Sequence, residues 1–98
     1  MTPLRFLPEA EAELLHEVGF YSQARTGTGV RFQAAVEAAL ERACRHPLGG
    51  APSAHGARSV MGRGFPFSIV YRASPTEILV VAVAAHRRRP GYWAERTR

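Results

Sequence analysis

The chain has 98 residues, 46% of them apolar, and a formal net charge of +5, which fits one globular domain and leaves no room for a second. All thirteen basic residues are Arg and all eight acids are Glu, so P-loop and Schiff-base lysines are excluded, as is an Asp/Asn-rich EF-hand loop. A lone Cys44 and histidines scattered at positions 16, 46, 55 and 86 exclude a disulfide framework and a standard structural zinc site, so neither metal nor cofactor is expected.

Residues 3–7 alternate around Leu4 and Phe6 and predict a short first strand. Pro8 suits the first turn of a helix, and Glu9, Glu11 and Glu13 favour its positive end. Ala10, Leu14, Val18 and Tyr21 share one face, with Leu15 and Phe20 widening it, which predicts a helix over residues 8–24. A glycine-containing turn at 25–29 offers Thr28 as a cap. A second helix follows over 29–45, with Phe32, Val36, Ala39, Leu40 and Ala43 as its stripe and Glu41–Arg45 as an i, i+4 pair. His46-Pro47 ends it, and the short turn between the helices implies an antiparallel hairpin. Cys44 reads as a small buried hydrophobe.

Residues 47–57 read as loop, followed by a weak strand over 58–61. Residues 65–72 alternate cleanly, placing Phe65, Phe67, Ile69 and Tyr71 on one face, so Phe67 and Tyr71 belong to the core. Residues 77–85 are apolar on both faces, as a central strand requires. The run Ile78 to Ala85 is also the longest apolar stretch, well short of the ~20 residues of a membrane-spanning helix. No membrane association is expected, and the absence of a signal-peptide core beside a free cysteine points to the cytoplasm. Arg72 is expected to bridge to Glu77 across the turn of the last hairpin. The tail from His86 concentrates charge at Arg87, Arg88 and Arg89 and ends in Tyr92 and Trp93, which are expected to pack back on the domain.

The resulting order is β-αα-βββ: an α+β fold over residues 1–98, with the helical hairpin on one face of a mainly antiparallel sheet. The second face then exposes apolar area, which implies a protein partner. The positive charge implies an anionic one, whether nucleic acid or an acidic protein segment.

A joint pattern runs through nearly the whole chain: Phe6, Ala10 and Glu13-Leu14 entering the first helix; Arg31-Phe32, Val36 and Leu40 in the second; His46-Pro47; Arg58; the strand FPFSIVYR over 65–72; and the run AVAAHRRRPGYW over 82–93. This pattern resembles the RelE/ParE superfamily of toxins from type II toxin–antitoxin modules, of the plasmid-stabilisation type. The resemblance implies a growth-inhibiting toxin silenced by a cognate acidic antitoxin in a hetero-oligomer. RelE-like members cut mRNA on the ribosome, whereas ParE-like members inhibit DNA gyrase and are not nucleases. Where such a nuclease can carry Arg before the Ile69-Val70-Tyr71 strand, this chain has Ser68, and Ser59 and Met61 replace a possible lysine. The incomplete set favours ParE-like action on gyrase. The alternative is a ribosome-dependent endoribonuclease using Arg87 as the cation, Tyr92 as the aromatic hydroxyl and His86 as base or acid, and a third reading is a nontoxic interaction module on the same scaffold. Arg58, Arg63, Arg87, Arg88, Arg89 and Trp93 are the candidate contacts to target or antitoxin.

Overall fold

In a computed structural model describing residues 2–97, the chain folds as a strand, two helices and four further strands. They are β1 (Leu4–Phe6), α1 (Pro8–Ala24), α2 (Thr28–Arg45), β2 (Ala51–Pro52), β3 (Arg58–Met61), β4 (Phe67–Ala73) and β5 (Ile78–Ala85), with a short 3-10 turn at Ala94–Thr97 closing the tail. The sheet order is β1-β5-β4-β3-β2. All pairings are antiparallel except β1 with β5, where Leu4, Arg5 and Phe6 run parallel to Ile78, Leu79 and Val80. The α+β architecture is therefore as the sequence implies. The addition is β2, a two-residue edge strand within the expected loop, paired through Ala51–Ser59 and Pro52–Arg58.

Helix α1 starts at Pro8 behind Leu7, which supplies no side-chain cap. Its Ala10, Leu14, Val18 and Tyr21 face the core, but Leu15 and Phe20 do not widen the stripe: they are 66% and 50% exposed. Four- and three-residue steps from Ala10 define a face too narrow to include them. Helix α2 begins after Gly27, whose φ of 83° is the left-handed conformation glycine tolerates. Thr28 is therefore the first helical residue rather than a cap, and its Oγ1 accepts from Arg31. Gly29 lets the two helices approach: a Cβ there would fall on Ser22 Oγ and 2.8 Å from the Val18 carbonyl.

Phe32, Val36, Ala39 and Leu40 pack with Ala10, Phe67, Ile69, Val80 and Val83 into the main core, continued by Ala43, Cys44, Tyr71 and Ile78. Tyr71 is fully buried, and its hydroxyl donates to the Pro47 carbonyl at 2.9 Å and accepts from Gly50 N–H at 3.2 Å. Strand β4 starts at Phe67, two residues later than the alternation suggests, because Pro66 has no N–H for the ladder.

Strand β5 carries a bulge. Tyr71 pairs with Val80 and Val70 with Ala82, leaving Val81 as an extra residue. The bulge shifts the alternation, so Ile78, Val80 and Val83 face the helices while Val81 and Ala82 face the opposite side. There they meet Ala57, Val70 and Trp93, which is only 6% exposed. The second face of the sheet is thus covered in part by the chain's own tail, where Trp93 packs back as expected. No helix among the described residues is long and apolar enough to cross a membrane.

Candidate functional site

Beyond Phe6, β1 no longer borders β5, and the outer edge of β5 needs other partners. Glu13 Oε1 accepts from Val83 N–H at 3.1 Å, and Arg96 Nη1 donates to the Val81 carbonyl at 3.1 Å. The two side chains also join each other through a fork of 2.9 and 3.0 Å. Tyr92 donates its hydroxyl to Glu13 Oε2 at 2.5 Å. Burial, and then the Glu13 carboxylate, raise the Tyr92 phenol well above the usual tyrosine range. One turn along α1, buried Glu17 receives both Nη groups of Arg87 at 3.0 and 2.6 Å. Its hydrogen bonds to Glu17 raise the Arg87 guanidinium further above its ordinary value.

The tail is therefore fastened to α1 on both sides of its turn, by Arg87 before it and by Tyr92 and Arg96 after it. Between the fastenings, Arg88 stacks on the Tyr92 ring at 4.0 Å and lies 3.8 Å from Glu13. Arg89 is exposed and makes no side-chain hydrogen bond or ion pair among the described residues. The arginine flank expected at 87–89 is thus internally paired at Arg87, partly so at Arg88, and open at Arg89.

The three candidate nuclease residues are divided. His86 hydrogen-bonds Ser68 Oγ through Nε2 at 2.9 Å, in a cleft of about 290 Å³ on the sheet's second face that Tyr92 and Trp93 also line. Arg87 lies on the α1 side, in a separate depression with Glu13, His16 and Glu17. Of the other candidates, Arg58 is half-buried and donates to the carbonyls of Leu48 and Gly50, holding the loop before β2. Arg63 is exposed in the β3–β4 turn. Trp93 packs beneath the tail, as expected of it. The Arg72–Glu77 bridge does not form. Arg72 donates to the Thr97 carbonyl, while Glu77 takes a bidentate Arg5 at 2.8 and 3.1 Å, because the parallel strand β1 brings Arg5 to that end of the sheet.

At the sequence level Glu13 stands out as a helix-favouring charge and as part of the joint pattern, and Glu17 does not stand out. The available signal was their i, i+4 spacing beside an apolar stripe, with arginines concentrated far away in the chain.

The ParE toxin model of the type II toxin–antitoxin system parDE matches residues 4–90. Among solved structures, the chain is similar to one from the chromosomal ParDE toxin–antitoxin system of P. aeruginosa, with a TM-score of 0.64 and 22% identity over 87% of this chain and 96% of that one. That likeness is one of fold. No curated protein matches the sequence.

Proposed function

This chain belongs to the ParE toxin family of type II toxin–antitoxin systems, and from that membership we propose that it arrests growth by binding DNA gyrase, without cutting RNA. One observation supports the non-nucleolytic reading above all: two of the three groups a nuclease would use are tied to glutamates of α1. A cation that must stabilise a developing phosphorane has to be free to meet it, yet Arg87 is held in a bidentate pair by Glu17. A general base must be able to lose its proton near neutrality, yet the Tyr92 hydroxyl donates to Glu13 and holds its proton more tightly than a free phenol. Only His86 is not tied to a glutamate, and one imidazole is an incomplete set.

The target surface on this reading is the exposed end of the tail, Arg88 and Arg89, with Trp93 holding its base. An acidic antitoxin segment that covers these arginines neutralises the toxin by occupying the same surface. Purified protein added to a gyrase supercoiling reaction should stall it, and Arg89→Glu should relieve the block. Arrest of supercoiling with no ribosome-dependent mRNA cleavage supports the proposal. Cleavage that disappears in His86→Ala, with supercoiling untouched, would replace it by the endoribonuclease reading.

A further inference from the structure

The outward face of α1 carries residues that packing within the chain does not explain. Helix α2 turns Gln33, Glu37 and Glu41 to solvent, but α1 turns out Leu15 and Phe20. Phe20 stays half exposed although the Arg87 guanidinium lies over its ring at 5.3 Å and Tyr21 meets its edge. Between Leu15 and Phe20 stands Gly19, in ordinary helical conformation, where a Cβ would meet nothing within 4 Å among the described residues. Glycine in a helix interior costs stability, and Gly19, unlike Gly29, gains no close approach within the chain in return. Glu11 and Arg25 flank this face. Both are exposed, and neither side chain makes a hydrogen bond or ion pair among the described residues.

We infer that two copies of the chain meet on this face, their α1 helices antiparallel about a two-fold axis beside Gly19. Positions 11 and 25 lie seven residues either side of position 18, so an antiparallel crossing there sets Glu11 of each copy opposite Arg25 of the other. Within one chain the same two residues are about 21 Å apart along the helix and cannot meet. The missing side chain at Gly19 lets the two backbones approach, and Leu15 and Phe20 on either side are covered by the second helix. The charge order selects this occupant. A face acidic at one end and basic at the other complements itself when reversed, whereas a uniformly acidic segment would meet Glu9 and Glu11. A contact confined to one helix face is at the small end of specific interfaces, which sets a Kd on the order of 10 to 100 μM. The second face of the sheet, across the molecule from α1, stays uncovered, and the inference does not rest on the toxin's target.

The test is sedimentation equilibrium of the purified chain alone, from about 1 μM to about 1 mM, where a monomer–dimer equilibrium is expected. Glu11→Arg and Arg25→Glu should each weaken the dimer by about tenfold, because the two-fold axis counts every pair twice. Mixing these two variants in equal amounts should restore association, since only the mixed dimer sets opposite charges together at both ends. An effect confined to one chain cannot produce that rescue. Gly19→Ala should weaken the dimer by about tenfold or more, while raising the melting temperature of the dilute monomer by a few degrees. Leu15→Glu should abolish measurable association, with an unchanged Trp93 emission showing that the fold is intact. A monomer throughout the range overturns the inference. So does a dimer indifferent to Gly19→Ala and Leu15→Glu, or one that mixing the charge variants fails to restore. A monomeric chain whose capture by an acidic antitoxin is lost in Leu15→Glu assigns the face to that partner instead, and overturns the inference as well.

Discussion

Two carboxylates decide how the tail lies. Glu17 is almost fully buried while its partner Arg87 is half exposed, so removing the arginine strands a buried charge. Arg87→Ala should lower stability by about 2 kcal/mol in denaturant melts, less than the full penalty of a buried pair because one partner is wet. Adding Glu17→Ala should restore part of the loss, and a double-mutant cycle measures that coupling. At high pH the tyrosines take over. Burial raises the phenols of both Tyr71 and Tyr92, so the folded state holds those protons more tightly than the unfolded chain. The resulting stability is fully present below a pH of about 10 and is lost as pH climbs beyond it through the folded values. Spectrophotometric titration should show Tyr71 and Tyr92 ionising only as the fold melts. The burial of Tyr71 was legible in the alternation of residues 65–72. The ion pairs were not, since sequence shows that Glu17 and Arg87 carry opposite charge but not that a helix and a strand end meet.

At the level of elements, the strong periodicities carried through and the pairing partners did not. The α2 stripe and the β4 alternation each name a face, and those faces form the core. The parallel β1–β5 pairing is a long-range choice that no local pattern encodes, and with it went the partner of Glu77. That Trp93 packs back was legible, but the face it covers depends on where the Val81 bulge aims its neighbours. Trp93 is the only tryptophan and is buried there, so its fluorescence should be blue-shifted in the folded chain, and Trp93→Ala should cost about 3 kcal/mol. The helix crossing gives a prediction of opposite sign to propensity. Gly→Ala within a helix ordinarily gains up to about 1 kcal/mol, but Gly29→Ala should destabilise in thermal melts, because its Cβ collides with Ser22 and the Val18 carbonyl.

Over the whole molecule, the charge of +5 is unevenly spent. Arg5, Arg45, Arg87 and Arg96 each face a glutamate, while Arg89 stays open on the tail. Association with an acidic antitoxin should therefore be steered by this end, and its on-rate should fall as salt is raised from low to physiological strength, with Arg89→Glu flattening the dependence. Stopped-flow mixing measures both. The ties between α1 and the tail also constrain the order in which the molecule can be made. Glu17 and Arg87 are 70 positions apart, and Glu13 and Arg96 are 83 apart, so a nascent chain carries its helices long before their counter-charges exist. The native ties between α1 and the tail can form only once β5 and the tail have cleared the exit tunnel, which makes them late, non-local contacts of folding.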